Sequence, residues 1–386
     1  MNSVYFDHAA TTPVDERVLE AMLPFFGERY GNPSELHRLG REARAAVEEA
    51  RAVVAAAIGA GEREIVFTSG GTESDNLALF GCLQRFAPGH LVVSAVEHPA
   101  VLEPARALNR AGWAVDFVPV DGDGVVDIDA YESAFRDDTR LASVMFANNV
   151  VGTVQPVAEL ARIAHEKGAV FHTDAVQAVG SVPVDVAELG VDLLSLSGHK
   201  LYGPKGIGAL YVRRGTRLQP VAHGGGHERR LRSGTENVPG IVGLAAALRL
   251  ATEAMPETRP RLERLRDRLR AGVAERVPDV RLLGHPTERL PGNVAFTVRY
   301  VEGESMLLQL DAAGFMVASG SACASGSLEP SHVVLALGLG AEEAHGSIRV
   351  SLGRENTEAE VDAFVDAFPP IVEKLRQMSP LYVKGQ

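Results

Sequence analysis

Lys200 closes the apolar run "VDLLSLSGHK" (191–200), just after Ser197 and His199. A lysine held at the buried carboxyl end of a strand is desolvated, loses its proton readily, and becomes a nucleophile or Schiff-base former. Lys205 competes for that role from the loop proper, between Pro204 and Gly206, and a solvated surface turn is the plainer reading of either lysine. A second candidate is "TSGGTESDN" (68–76), where Gly70, Gly71 and Thr72 close a strand and open a helix. Free N–H groups at such a helix start bind phosphate, and glycine lets it approach the backbone. Thr72 followed by Glu73 and Asp75 is equally a simple helix N-cap. No Gly-Lys-Ser/Thr follows, which excludes the nucleoside-triphosphate loop.

Other residues with chemical potential also sit just past apolar runs. Asp174 and Gln177 follow one in "FHTDAVQAVG" (171–180). An Asp there caps a helix, binds a ribose, or pairs with a protonated pyridine nitrogen. His98 follows "LVVSAV", where a structural role is the commoner one. Arg349 lies inside the strand-like "SIRVSLGR" and needs a partner there, either a substrate carboxylate or a structural ion pair. Cys323 sits among small residues in "ASGSACASGSLEP" (318–330), which has no period and reads as a mobile loop presenting an accessible thiol. Cys82, inside the helical "LALFGCLQRF", reads as a buried, inert thiol. "VDGDGVVDIDAYE" (120–132) has acidic spacing close to a calcium loop, but Val126 occupies the position that must be glycine. It reads instead as a glycine-containing turn between two strands. With only two cysteines and no zinc spacing, no metal site is expected.

The elements that position these residues alternate. "EIVFTS", "HLVVSA", "WAVDFVPV", "LASVMFAN", "AVFHTDA" and "DLLSLS" read as strands, with helical stretches such as "VAELARIAHEKG" between several of them. That alternation implies βαβ units and a mostly parallel sheet, which binds ligands at the carboxyl ends of its strands. After about residue 238 the pattern becomes two long helices, "IVGLAAALRLATEAM" and "PRLERLRDRLRAGVAERV", and then a mixed α+β region. The chain has 386 residues, enough for two domains at about 150 residues each. A net charge of −12 argues against direct nucleic-acid or anionic-membrane binding. No run approaches the roughly 20 apolar residues of a membrane span, and the N-terminus is not a signal peptide. The reading is a cytoplasmic protein of a reducing compartment.

Taken in order, "GNPSELHRLGREAR", "TSGGTESDN", "VEHPAV", "NNVVGTVQP", "HTDAVQAVG", "SLSGHKLYGPKGIGALYV", "HGGGHERRLRSGTEN", "SGSACASGSLEP" and "SIRVSLGR" resemble the pyridoxal-phosphate-dependent cysteine desulfurases. These are class V aminotransferase-like proteins, and the match is closest to the branch with the long cysteine loop. The blocks cover essentially the whole chain. The resemblance implies an α/β fold of the aspartate aminotransferase type (fold type I). A large cofactor domain would span 13–250, and a small one 251–386 with 1–12. It implies pyridoxal 5'-phosphate as cofactor, with Lys200 bonded to it, Asp174 at the pyridine nitrogen and Gln177 at the phenolic oxygen. His98 would stack on the ring, and Gly71, Thr72, Ser197 and His199 would surround the phosphate. Thr235 would reach the phosphate of a neighbouring subunit, so a homodimer is implied. Asn149 and Arg349 would bind L-cysteine. Cys323 would take its sulfur as a persulfide, leaving L-alanine, and pass it to an acceptor protein for iron–sulfur cluster assembly or tRNA thiolation. Val150 stands where such proteins often carry Glu, and His332 where Tyr is frequent. A small-molecule aminotransferase or kynureninase-like lyase of the same fold type, or a non-catalytic scaffold, are the alternatives. The Cys323 loop argues against the first two, and intact Lys200, Asp174 and His98 argue against the third.

Overall fold

The computed structural model describes residues 3–320, 329–380 and 382. Seven short apolar segments form one sheet: β1 (Ile65–Thr68), β2 (His90–Ser94), β3 (Ala114–Val118), β4 (Thr139–Ser143), β5 (Val170–Asp174), β6 (Leu193–Ser197) and β7 (Gly208–Val212). Their order is β1-β7-β6-β5-β4-β2-β3. Strands β2 to β6 pair in parallel, and β7 runs against both its neighbours. Most of these strands are buried throughout, as continuous apolar runs in a sheet covered on both faces must be. The covering helices include α1 (Arg38–Ala57), α2 (Gly71–Leu83), α3 (Pro99–Arg110) and α4 (Val157–Glu166). The segment 120–126 does form a turn, closed by a bridge from Val120 to Val126, but a helix over Ile128–Ser133 follows it rather than a strand.

A second, antiparallel sheet holds β8 (Val280–Leu283), β9 (Asn293–Val298), β10 (Ala318–Ser319) and β11 (Ser347–Ser351), in the order β10-β11-β9-β8. Helix α6 (Glu358–Met378) packs on it through Val361, Phe364, Phe368 and Val372. Between the two sheets runs α5, Val238–Arg276, one helix where two were expected. Pro256 and Pro260 lie inside it. Each proline removes one backbone hydrogen bond, and the stretch around them is largely solvent-facing. Both ends are anchored: Ile241, Leu244 and Leu248 in the core of the large sheet, and Leu262, Leu265 and Leu269 in that of the small one. The 250/251 boundary falls within this helix. α5 also contains an 18-residue window of mean hydropathy 1.3, long and apolar enough to cross a membrane by that measure alone. Its apolar residues are used in these two cores.

The N-terminal segment ties the sheets together. Val4–Tyr5 pairs with Phe315–Met316, and Ala9 N–H donates to Ser351 Oγ of β11 at 2.9 Å. Thr12 Oγ1 donates to the His199 carbonyl at 2.9 Å, at the carboxyl edge of the large sheet.

Candidate active site

That edge gathers the residues singled out by sequence. His98 caps α3 after β2, and Asn149 follows β4. Asp174 ends β5 with Gln177 just beyond it. Ser197 ends β6, and a single turn, Gly198–Lys200, then carries His199 and Lys200. Gly71 and Thr72 open α2, and Arg349 enters from β11 of the other sheet. All of these line one cavity. Thr235 does not line it; it is exposed, in the segment before α5. Cys323 lies outside the described residues. Lys205, the competing lysine, is exposed and off the cavity, and Cys82 is buried with its thiol pushed up to about 12 by burial.

Backbone geometry explains the opening at α2. Gly70 has φ +152°, in a region that side chains rarely adopt. Gly208 of β7 lies against it: a Cβ there would stand 2.7 Å from Gly70 Cα and 2.5 Å from the Leu196 carbonyl oxygen. The first N–H groups of α2 therefore face the cavity beside Ser197. Glu73, in the same turn, points away, bonded to Ser69 N–H at 2.6 Å and Arg232 at 2.9 Å. What remains at this end is a donor set for an anion.

The same cavity also carries a carboxylate. Asp174 Oδ1 accepts the Val176 N–H at 2.9 Å. Burial raises its pKa, and His98 and Lys200 oppose that shift. Burial lowers the pKa of His98. Its Nδ1 accepts the Ala100 N–H at 3.1 Å, so the neutral ring carries its proton on Nε2. Burial, with help from Lys200 and Lys205, pushes His199 down to about 4. Lys200 Nζ donates to the carbonyls of Ala9 at 2.5 Å and Ala10 at 2.7 Å. Gln177 Nε2 donates to the Ala9 carbonyl at 3.0 Å. A molecule with an anion, a protonated nitrogen and an electrophilic carbon matches this set of groups, and pyridoxal phosphate has those three features.

Arg349 is 2% exposed. Its guanidinium donates to Asp7 Oδ1 at 2.6 Å and to the Asn149 carbonyl at 3.1 Å. Its Nε is buried and makes no hydrogen bond among the described residues. Asp7 carries no sequence signal of its own, and Asp75 reads in the sequence only as a helix-start acid. Asp75 and Met145 both line the cavity. Met145 carried no signal at all.

Comparison with known proteins agrees with this geometry. The family model described as aminotransferase class-V matches residues 4–364. A cysteine desulfurase IscS of Methanosarcina thermophila is 52% identical over 384 residues, covering 99% of this chain and 95% of the relative. A solved NifS-like protein superposes with a TM-score of 0.91 at 40% identity, over 97% of this chain and 100% of that one. A structure described as SspA in complex with cysteine gives a TM-score of 0.81 at 36% identity, over 92% and 99% of the two chains.

Proposed function

This chain belongs to the class-V aminotransferase family and is a pyridoxal-phosphate-dependent cysteine desulfurase, and from that premise we propose how its residues divide the work. The cofactor, when bound, supplies an aldehyde that bonds to amines and a ring that accepts an electron pair. Thr72, Ser197, His199 and the N–H groups at Gly71 and Thr72 hold its phosphate. Asp174 holds the ring nitrogen protonated, Gln177 bonds the phenolic oxygen, and His98 lies against the ring. Lys200 supplies the amine that anchors the aldehyde. Arg349 and Asn149 bind the carboxylate of L-cysteine, with the unsatisfied Arg349 Nε offering a donor to it.

Lys200, at the carboxyl edge of β6 in the same cavity, would be the base that takes the Cα proton of the bound substrate. The Cys323 thiolate attacks the substrate sulfur, forming an S–S bond as the C–S bond breaks. The electron pair of the broken bond stays with the substrate Cβ, which takes one proton, and return of the proton from Lys200 to Cα completes alanine. His98, with its proton on Nε2, would deliver a proton to the substrate. The persulfide on Cys323 then passes to an acceptor protein of iron–sulfur cluster assembly or tRNA thiolation. Thr235 serves the partner subunit's phosphate in a homodimer. Its exposure, away from its own chain's cavity, supports that reading. We place the enzyme in the cytoplasm.

The observation that carries the proposal is the convergence of Asp174, Lys200, His98 and Arg349 on one cavity from both sheets. Borohydride reduction of the cofactor-loaded protein, followed by peptide mapping, tests it. The pyridoxyl label is expected on Lys200; label on Lys205, or on neither lysine, refutes the assignment.

A further inference from the structure

Under the floor of the cavity lies a polar group that the roles above leave unused. His172 precedes Asp174 by two residues on β5, so both side chains leave the same face of the sheet. Helix α2 covers that face and brings Asp75 to it, one turn beyond Gly71. His172 Nδ1 meets Ser143 Oγ of β4 at 2.8 Å, and its Nε2 meets Ser195 Oγ of β6 at 3.0 Å. The same Nε2 lies 3.5 Å from Asp75 Oδ1, and Ser195 is hydrogen-bonded to Asp75. Asp75 is 1% exposed, and Ser143, His172 and Ser195 are fully buried. Asp75 Oδ1 has no hydrogen bond among the described residues.

Glu97, at the end of the turn after β2, is a third carboxyl in this compartment. Its Oε1 accepts from Ser94 Oγ at 2.5 Å and Met145 N–H at 2.6 Å, while Oε2 has no hydrogen bond among the described residues. The titratable groups acting on Asp75 are thus Asp174 and His172 on β5 and Glu97 beyond β2. Three buried carboxyls so placed cannot all be ionised at neutral pH. Asp174 is best placed to carry the charge, because Lys200 and His98 act on it and a backbone N–H bonds to it. Asp75 has no such cation: burial pushes its neighbour His172 down to about 3, so that ring is neutral. Burial and Asp174 both favour the neutral form of Asp75.

We propose that Asp75 is a positioning residue that stays a neutral acid within the hydrogen-bonded row Ser143–His172–Ser195, and so leaves Asp174 as the carboxylate facing the cofactor. An ionised Asp75 would draw a proton onto Asp174 and weaken its hold on the ring nitrogen. The part of the proposal that concerns Asp174 rests on the cofactor reading above; the state of Asp75 itself does not.

The experiment is carbon NMR of the holoenzyme labelled with ¹³C at the aspartate side-chain carboxyl, run at neutral pH beside Asp75→Asn. One aspartate carbon is expected at the protonated-acid position, and it is expected to vanish in the variant. Asn has the shape of the neutral acid and no charge, so the pH profile of the bound cofactor's visible absorbance should be unchanged. The proposal is overturned if no aspartate is protonated, if the protonated signal survives in Asp75→Asn, or if that variant moves the absorbance profile by about one pH unit or more. Should Asp75→Asn fail to fold, Asp75→Glu removes the labelled carbon while keeping an acid and assigns the signal instead. A wild type that binds no pyridoxal phosphate would sink the cofactor reading; the carboxyl spectrum of the apoprotein would still decide the state of Asp75.

Discussion

Arg349, which lines the cavity, already forms an ion pair with Asp7 at 2.6 Å. A planar guanidinium holds a carboxylate with two parallel donors, which an ammonium does not reproduce. Arg349→Lys should therefore raise KM for L-cysteine by about tenfold or more, with a smaller change in kcat, because the contact holds substrate and transition state alike. Steady-state kinetics check this, and an unchanged KM would contradict it. Glu97 makes a pH prediction. Burial pushes its carboxyl up to about 8, so the folded chain keeps a proton that the unfolded chain releases in the ordinary carboxylate range. Between those limits the folded form binds more protons, and apoprotein stability falls as pH rises. Glu97→Gln should make that decline less steep, measured as melting temperature against pH; identical slopes would contradict it. At this scale Lys200, Asp174 and His98 were legible because each follows an apolar run. Asp75 was not, because an acid in the first turns of a helix has an ordinary explanation, and only tertiary packing puts it beside Asp174.

Two elements hold the start of α2 in place. Gly208 leaves room for Gly70 to turn sharply. Gly208→Ala should destabilise the fold by about 1–3 kcal/mol through overpacking and weaken cofactor binding as the turn shifts. Denaturant midpoints and cofactor titration read both effects, and no change in either would contradict the close approach. The segment after β7 is pinned by Glu228, which pairs with Arg51 of α1 at 2.7 Å and accepts the Phe67 N–H at 2.8 Å. Glu228, Arg229 and Arg230 all take positive φ, 42°, 55° and 68°, a conformation that needs such anchoring. Removing one partner of a buried pair costs about 3–5 kcal/mol, so Arg51→Ala should lower the unfolding midpoint accordingly; a loss of under about 1 kcal/mol would place the pair among weak surface bridges. The strands of the large sheet were legible as apolar runs between glycine-rich turns. The continuity of α5 was not. Pro256 and Pro260 mark a break by local rule, and only anchoring in two separate cores carries the helix through them.

Across the whole molecule, the candidate active-site cavity is lined from both sheets, and the N-terminal segment laces them together through Ser351 and His199. Alternating strands and helices made the mostly parallel sheet readable, and an ordered set of motifs spanning the chain made the family readable. The lacing by residues 7–12 was not readable, because its contacts are hundreds of residues away in sequence. The central claim is that L-cysteine gives up its sulfur to Cys323, a residue outside the described structure. The most direct test measures alanine released from L-cysteine under reductant, for wild type beside Cys323→Ala, both loaded with pyridoxal phosphate. Alanine from the wild type and almost none from the variant is the expected result; equal alanine from both, or none from either, would contradict it.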